Sequence, residues 1–325
     1  MSYMQSFTPN DPWATTQPVS PPTPRPAPRR PSQPAPIQTW VRKPAARQRS
    51  RGCSCGCTPF LGGAILGLAF LLAIYFLAPG RTNILLLGID FTPPENAVGR
   101  SDTIVLSTIN PLKPYVGMLS VPRDLWVNIP GFGENRINTA HFFAEATRAG
   151  DGPWAAMETV RQNFGVDVNY FLRVRFDGFK DVINAMGGVD LVLPEPMAGY
   201  PAGPVHLNGN KALAFARDRS GSDDFFRMQH AQLVMKAVMR QMLNPLKWPR
   251  LPLVFVAASR SINTTVPVWL WPRLGLAVLR AGSSGIDSRI IDREMVIPTI
   301  TQDGANILIP DWAKINPVLR EMFGQ

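Results

Sequence analysis

Arginines and aspartates collect at the ends of the apolar runs in the last three-quarters of the chain. Asp90 closes one run, Arg100-Ser101-Asp102 opens the next, and Arg123-Asp124 follows a third. Further on, Arg217, Arg219 and Arg227 bracket a short segment that carries Asp223 and Asp224. Guanidinium groups clamp phosphate oxygens with two parallel hydrogen bonds. Two nearby carboxylates can hold a magnesium ion that bridges those oxygens. Such a set describes a diphosphate site if the loops converge. Taken singly, each arginine reads as an ordinary surface ion pair.

The elements that must position these groups alternate strand and helix. Residues 83–90 (NILLLGID), 102–109 and 115–121 are short apolar runs ended by Gly, Asp, Asn or Pro, the pattern of central strands buried on both faces. Helices are predicted over 138–148 and 153–164, the second with Pro153 in its first turn and Gly165 beyond its end. A strand at 170–175, a helix at 178–186 closed by Gly187-Gly188, and a strand at 189–193 follow. Helices at 208–217 and 223–243 come next, then a proline-punctuated segment. A helix near 269–281, a strand near 294–297 and a helix at 311–323 complete a mixed α/β domain over 80–325. In open α/β sheets, ligands bind at the loops beyond strand ends, where the charged residues above lie.

What precedes this domain is of another kind. The chain has 325 residues, 45% of them apolar, and a net charge of +10. Residues 1–58 hold eight basic side chains against Asp11 alone, a net of +7, which leaves +3 for the rest. Twelve prolines between Pro9 and Pro44, with few large apolar residues, predict a disordered tail. Residues 60–78 (FLGGAILGLAFLLAIYFLA) carry no charge and would extend about 28 Å as a helix, which matches a bilayer core. Fifty-eight residues before a full-length span fit an uncleaved anchor better than a cleaved signal. Arg42, Lys43, Arg47, Arg49 and Arg51 on one side, against Arg81 on the other, place the tail in the cytoplasm and 80–325 outside the cell membrane. Cys53, Cys55 and Cys57 lie beside the span, lack the fourth ligand of a zinc site, and read as reduced cysteines without a catalytic role.

The succession NILLLGID (83–90), GRSDTIVL (99–106), LSVPRDLWVNIPG (119–131), RINTA (136–140), FDGFKDVINAMGGVDLVLP (176–194) and LNGNKALAFARDRSGSDDFFR (207–227) resembles the LytR-CpsA-Psr family, motif by motif and in order. The resemblance implies a single-span membrane protein with an outward-facing α/β/α domain built on a central mixed sheet. It implies transfer of a glycopolymer from an undecaprenyl diphosphate carrier to peptidoglycan or another envelope acceptor. Asp90 and Asp102 would correspond to the family's Mg2+-associated aspartates. Arg100, Arg123, Arg217, Arg219 and Arg227 would correspond to its diphosphate-contacting arginines. Cleaving the sugar-1-phosphate bond would leave a polyprenyl diphosphate whose charge the arginines and metal stabilise, with Asp102 or Asp224 as the base. Together, Asp102, Arg123, Arg217, Arg219 and Asp224 form the expected catalytic set. An apolar groove for the lipid would come from helices packing loosely on the sheet. Phe142, Phe143, Phe164, Phe176 and Phe179 lie in the right elements, but aromatic residues at such spacing read first as ordinary core and are not taken as site residues.

The chain also departs from the family pattern. Thr92 stands where an arginine is usual, and an expected R-x-x-R-Q reads Arg227-Met228-Gln229-His230-Ala231. His230 can donate to a phosphate when charged, Ala231 cannot, and Gln232 is a candidate substitute. Water as acceptor would make the same site a polyprenyl diphosphate hydrolase, and loss of catalysis would leave a lipid-phosphate-binding protein. Nucleic acid is not an expected partner, because the basic tail has no DNA-reading motif.

Overall fold

The computed structural model describes residues 57–77, 80–89, 99–218 and 224–324. The tail expected over 1–58 therefore lies almost wholly outside the described residues, with Cys53 and Cys55. Helix α1 (Cys57–Leu77) comes first. Strands β1 (Thr82–Ile89), β2 (Ser101–Asn110) and β3 (Tyr115–Val121) follow, then a hairpin of β4 (Trp126–Ile129) and β5 (Gly133–Arg136). Next come α2 (Thr139–Thr147), α3 (Gly152–Phe164), β6 (Tyr170–Arg175) and α4 (Phe176–Met186). A second hairpin, β7 (Val189–Leu193) and β8 (Gly203–Leu207), leads to α5 (Gly209–Arg217) and α6 (Asp224–Met242). The chain ends with α7 (Leu251–Ser261), β9 (Ile262–Thr264), α8 (Trp271–Ala281), β10 (Ile286–Ile290), β11 (Val296–Ile300), β12 (Asn306–Pro310) and α9 (Trp312–Phe323).

Six strands form one mixed sheet in the order β10-β3-β2-β1-β6-β9. β1, β2 and β3 are antiparallel neighbours, whereas β6 runs parallel to β1 and β10 parallel to β3. The three apolar runs thus occupy the interior of the sheet, as their two-sided hydrophobicity predicts. On one face, Leu85, Leu87, Leu106 and Leu119 pack with Met157, Val160 and Phe164 of α3 and Ile315, Leu319 and Met322 of α9. On the other, Ile84, Val105 and Met118 pack with Leu274 and Ala277 of α8 and with Met235 and Met239 of α6. Helices on both faces bury the sheet, which is the α/β/α layering expected.

Local signals account for several boundaries. Gly165 ends α3 at φ 66° and Gly187 ends α4 at φ 83°, conformations that a Cβ disfavours. Asn208 caps α5, its Oδ1 accepting from the Lys211 amide at 3.0 Å. Gly209 is required by proximity, because a Cβ there would collide with the Lys180 backbone of α4.

Some expectations need correction. The proline-punctuated segment after α6 contains helix α7, which tolerates Pro252 because it sits in the first turn. The strand expected over 294–297 starts only at Val296, since residues 293–295 form a 3-10 turn capped by Asp292. The apolar run expected to be helical over 60–78 is helical through Leu77, with side chains 62–74 exposed. Side chains at both ends of this helix lie outside the described residues. Taken over the described residues alone, no helix is long and apolar enough to cross a membrane.

Candidate functional site

Antiparallel pairing brings the end of β1, the start of β2 and the end of β3 to the same end of the sheet. Ile89 pairs with Ser101 beside a register shift, and Ile104 pairs with Val121. Asp102 at the start of β2 and Arg123 just after β3 therefore meet. Arg123 Nη1 donates to Asp102 Oδ1 at 2.9 Å. The first turn of α6 is laid over this edge. Asp224 Oδ1 lies 3.3 Å from Arg123 Nε and 2.8 Å from Arg227 Nη2. Arg227 is buried, and its Nη2 also donates to the Asp102 carbonyl at 3.2 Å. Asp124 lies 3.5 Å from Arg123 and 3.5 Å from Arg136, so it steadies the arginine from the flank. Arg136, which sequence reasoning passed over, stands in the RINTA motif and completes this second tie.

Charge in the cluster is balanced against burial. Burial disfavours the Arg123 cation, but Asp224, Asp102 and Asp124 together outweigh it and raise its pKa. Burial also lifts the Asp224 carboxyl above the usual aspartate range, against the pull of Arg227 and Arg123. Asp224 Oδ2 is buried and makes no hydrogen bond among the described residues. A carboxylate that is raised in pKa, with one oxygen uncommitted, has the properties of a general base.

A largely apolar cavity of about 250 Å³ adjoins the cluster. Its wall includes Leu86 of β1, Phe176, Phe179 and Val182 of α4, Leu213 of α5, and Val234, Met235 and Val238 of α6. Asp102, Arg217 and Arg227 line the same cavity. Arg217 ends α5 with its guanidinium carbon 4.7 Å above the Phe176 ring, a stacking contact that aims the group. Of the five phenylalanines weighed for a lipid wall, Phe176 and Phe179 line this cavity. Phe164 instead packs edge-on against Trp312 in the core beneath α3. Phe142 and Phe143 group with Phe132, and Arg100 sits 5.3 Å over Phe142. Asp90 and Arg219 lie outside the described residues, as do Thr92 and Asp223.

Two proposed replacements for the family's missing side chains are corrected. His230 is buried against Phe215 at 4.8 Å between rings, so it faces the α5–α6 core, where burial lowers its pKa. Gln232 is buried and committed elsewhere: its amide donates to Ser120 Oγ at 2.9 Å and to the Arg289 carbonyl, and its oxygen accepts from Ser288 Oγ at 2.9 Å. It fastens α6 to β3 and β10. Ala231 lines the cavity as an apolar wall.

A magnesium site would draw on hard oxygen donors. Among the described residues no group of three or more His, Cys, Asp and Glu side chains could hold a metal ion, and Asp102, Asp124 and Asp224 ring Arg123. Mg2+ commonly takes only one or two carboxylates and completes its shell with water and phosphate. Asp102, held by Arg123 through Oδ1, fits such a partial site.

A family model for the LytR_cpsA_psr family matches residues 75–323. The chain belongs to that family. The LytR-CpsA-Psr relatives include the polyisoprenyl-teichoic acid–peptidoglycan teichoic acid transferase TagU of Oceanobacillus iheyensis, 36% identical over 49% of this chain and 51% of that protein. TagV of Bacillus subtilis, of the same description, is 30% identical over 65% of this chain and 55% of that protein. The chain spans about half the length of the curated relatives it matches. The crystal structure of B. subtilis TagV superposes with a TM-score of 0.62 at 25% identity, over 76% of this chain and 98% of that one. TagT bound to LIIa-WTA has the same fold, with a TM-score of 0.61 at 23% identity over 75% of this chain and 91% of that one.

Proposed function

We propose that the protein transfers a glycopolymer from an undecaprenyl diphosphate carrier to a hydroxyl of peptidoglycan or another envelope polymer. One observation carries this reading: Asp102, Arg217 and Arg227 line an apolar cavity beside Arg123, a pairing that suits an amphiphile with a diphosphate head. The names of the TagU and TagV relatives support the same substrate class.

Cations around the reacting centre would oppose an oxocarbenium-like sugar and favour a phosphoryl centre. The bond broken is therefore the phosphoanhydride bridge, in place of the sugar-1-phosphate bond that sequence reasoning chose. The acceptor oxygen attacks the sugar-linked phosphorus, that phosphate stays with the polymer, and polyprenyl monophosphate leaves. The Asp224 carboxylate takes the acceptor proton. Arg123, Arg217 and Arg227 hold the phosphate oxygens and neutralise charge on the leaving group. The family resemblance assigns Arg100 and Arg219 to the same diphosphate. Asp102, together with Asp90 as the resemblance implies, would hold a Mg2+ ion, which would supply further charge neutralisation.

The same reading anchors the chain through α1, with the tail cytoplasmic and residues 80–325 extracytoplasmic. A C-terminal reporter active only in the cytoplasm overturns that topology. Lipid analysis of the protein extracted from its native membrane tests the donor: a bound polyprenyl diphosphate glycopolymer is expected, and it is lost in Arg217→Ala. Phosphate release without polymer transfer identifies a hydrolase.

A further inference from the structure

Residues 228–286 contain no aspartate or glutamate, while Lys236, Arg240, Lys247, Arg250, Arg260, Arg273 and Arg280 fall within them. Part of this stretch is also unusually apolar on its outside. Helix α7 buries only Ala258, leaving Leu253 62% exposed with Phe255 and Val256 beside it. Before α7, Leu246 is 86% exposed and Trp248 is open; before α8, Val268 and Trp269 are 67% and 70% exposed. Helix α8 buries Leu274 and Ala277 and turns Leu276 and Leu279 outward. A soluble surface does not gather this many large apolar side chains without a partner.

Packing contacts join these segments to each other and to α1. The Phe255 and Trp271 rings meet edge-on at 5.4 Å, which links α7 to α8. Tyr75, near the end of α1, donates its hydroxyl to the Trp269 carbonyl, and Arg273 donates to the Gly80 carbonyl at 3.4 Å. The apolar face is thus continuous with the end of the helix taken above as the anchor. Tryptophans, aliphatic side chains and basic residues without acids are the composition of a segment lying at the membrane interface. Arg250 and Arg260 supply charge that anionic headgroups attract, while Lys247 is paired with Asp190 at 3.8 Å. Ile262, the first residue after α7, lines the cavity of the proposed site, and Gly178 lets α4, which forms another part of that wall, approach Ser261 closely.

We propose that residues 245–256 and 268–279 form a docking face for the bilayer surface, which seats the domain on lipid headgroups beside α1 and brings the cavity within reach of a membrane-dissolved polyprenyl chain. The proposal rests on the anchored reading, and its test separates the two. Nitroxide labels are placed by Leu253→Cys, Trp269→Cys, Leu68→Cys in α1 and Val192→Cys in β7 on the full chain with its three native cysteines changed to serine. The protein is reconstituted in phosphatidylcholine and phosphatidylglycerol vesicles, and collision rates with oxygen and with a water-soluble nickel complex are compared. The oxygen-to-nickel ratio at 253 and 269 is expected to exceed that at exposed Val192 severalfold and to approach that at 68. Aqueous ratios at 253 and 269 with a bilayer ratio at 68 overturn the docking face and leave the anchor standing. An aqueous ratio at 68 overturns both. Low collision with both reagents at 253 and 269 signals cover by protein and overturns a lipid partner.

Discussion

Arg123→Ala removes the centre of the charged cluster, and the contacts around it set the size of the effect. Asp224 retains Arg227 at 2.8 Å and Asp124 retains Arg136 at 3.5 Å. Asp102 loses its ion-pair partner at 2.9 Å. Breaking a fully buried pair costs about 3–5 kcal/mol. Here all four side chains are less than a quarter exposed, and only one carboxylate is stranded, so a loss of about 2 kcal/mol is expected. For a domain of this size that is a fall in Tm of roughly 4–8 °C, read by tryptophan fluorescence during heating. Asp102→Asn on the Arg123→Ala background removes the stranded charge and should restore most of the lost stability. It should not restore binding of a polyprenyl diphosphate, because the cation is still missing. A double-mutant cycle with no coupling between 102 and 123, or a double variant that binds the donor like the wild type, would refute the assigned geometry.

Asp224→Asn should lower transfer by roughly 10²–10⁴-fold, the usual contribution of a general base. Because burial raises the Asp224 pKa, its stabilising protonated form is lost as pH rises through that raised value, so at neutral pH the variant should melt no lower than the wild type. The wild-type rate should fall as pH drops through the same value, above the ordinary aspartate range, and this limb should be missing from the variant's residual rate. Gln232→Ala strands the hydroxyls of Ser120 and Ser288 and the Arg289 carbonyl, and should cost about 1–3 kcal/mol in urea unfolding with donor affinity unchanged. Met235→Trp, which crowds the cavity, should weaken binding of a long-chain donor while sparing a short-chain analogue, as measured by competition.

The central strands and the ends of α3 and α4 were legible because two-sided hydrophobic runs and αL glycines are strong local signals. The charged edge was legible for the same reason, since Asp102 and Arg123 sit at the limits of such runs. Helix α6 was harder to read. It lies between two apolar clusters and buries Arg227, His230, Gln232 and Gln241, so its polar residues look like a solvent face in sequence but are internal. That is why Gln232 passed for a site residue. Strands β9 and β10 escaped notice because both are short edge strands, and β10 reads IDSRI without an apolar run. The β4–β5 hairpin left a trace in Gly131 and Gly133, both at positive φ, that was not used. The cavity had no sequence signature, since its wall is assembled from positions in seven separate elements.

Both borders of the main sheet are supplied late in the chain. β9 covers β6 from residues 262–264 and β10 covers β3 from residues 286–290, while Arg81 Nη1 reaches the Met322 carbonyl 241 positions away. A growing chain that has reached only α6 therefore holds β3 and β6 as open, hydrogen-bond-hungry edges, the form most prone to pair with another molecule. Completion waits on contacts of long sequence separation, which makes folding slow and sensitive to truncation. A chain cut between α6 and residue 286 should therefore yield aggregate in place of a smaller folded domain, so this domain is inherited whole or not at all.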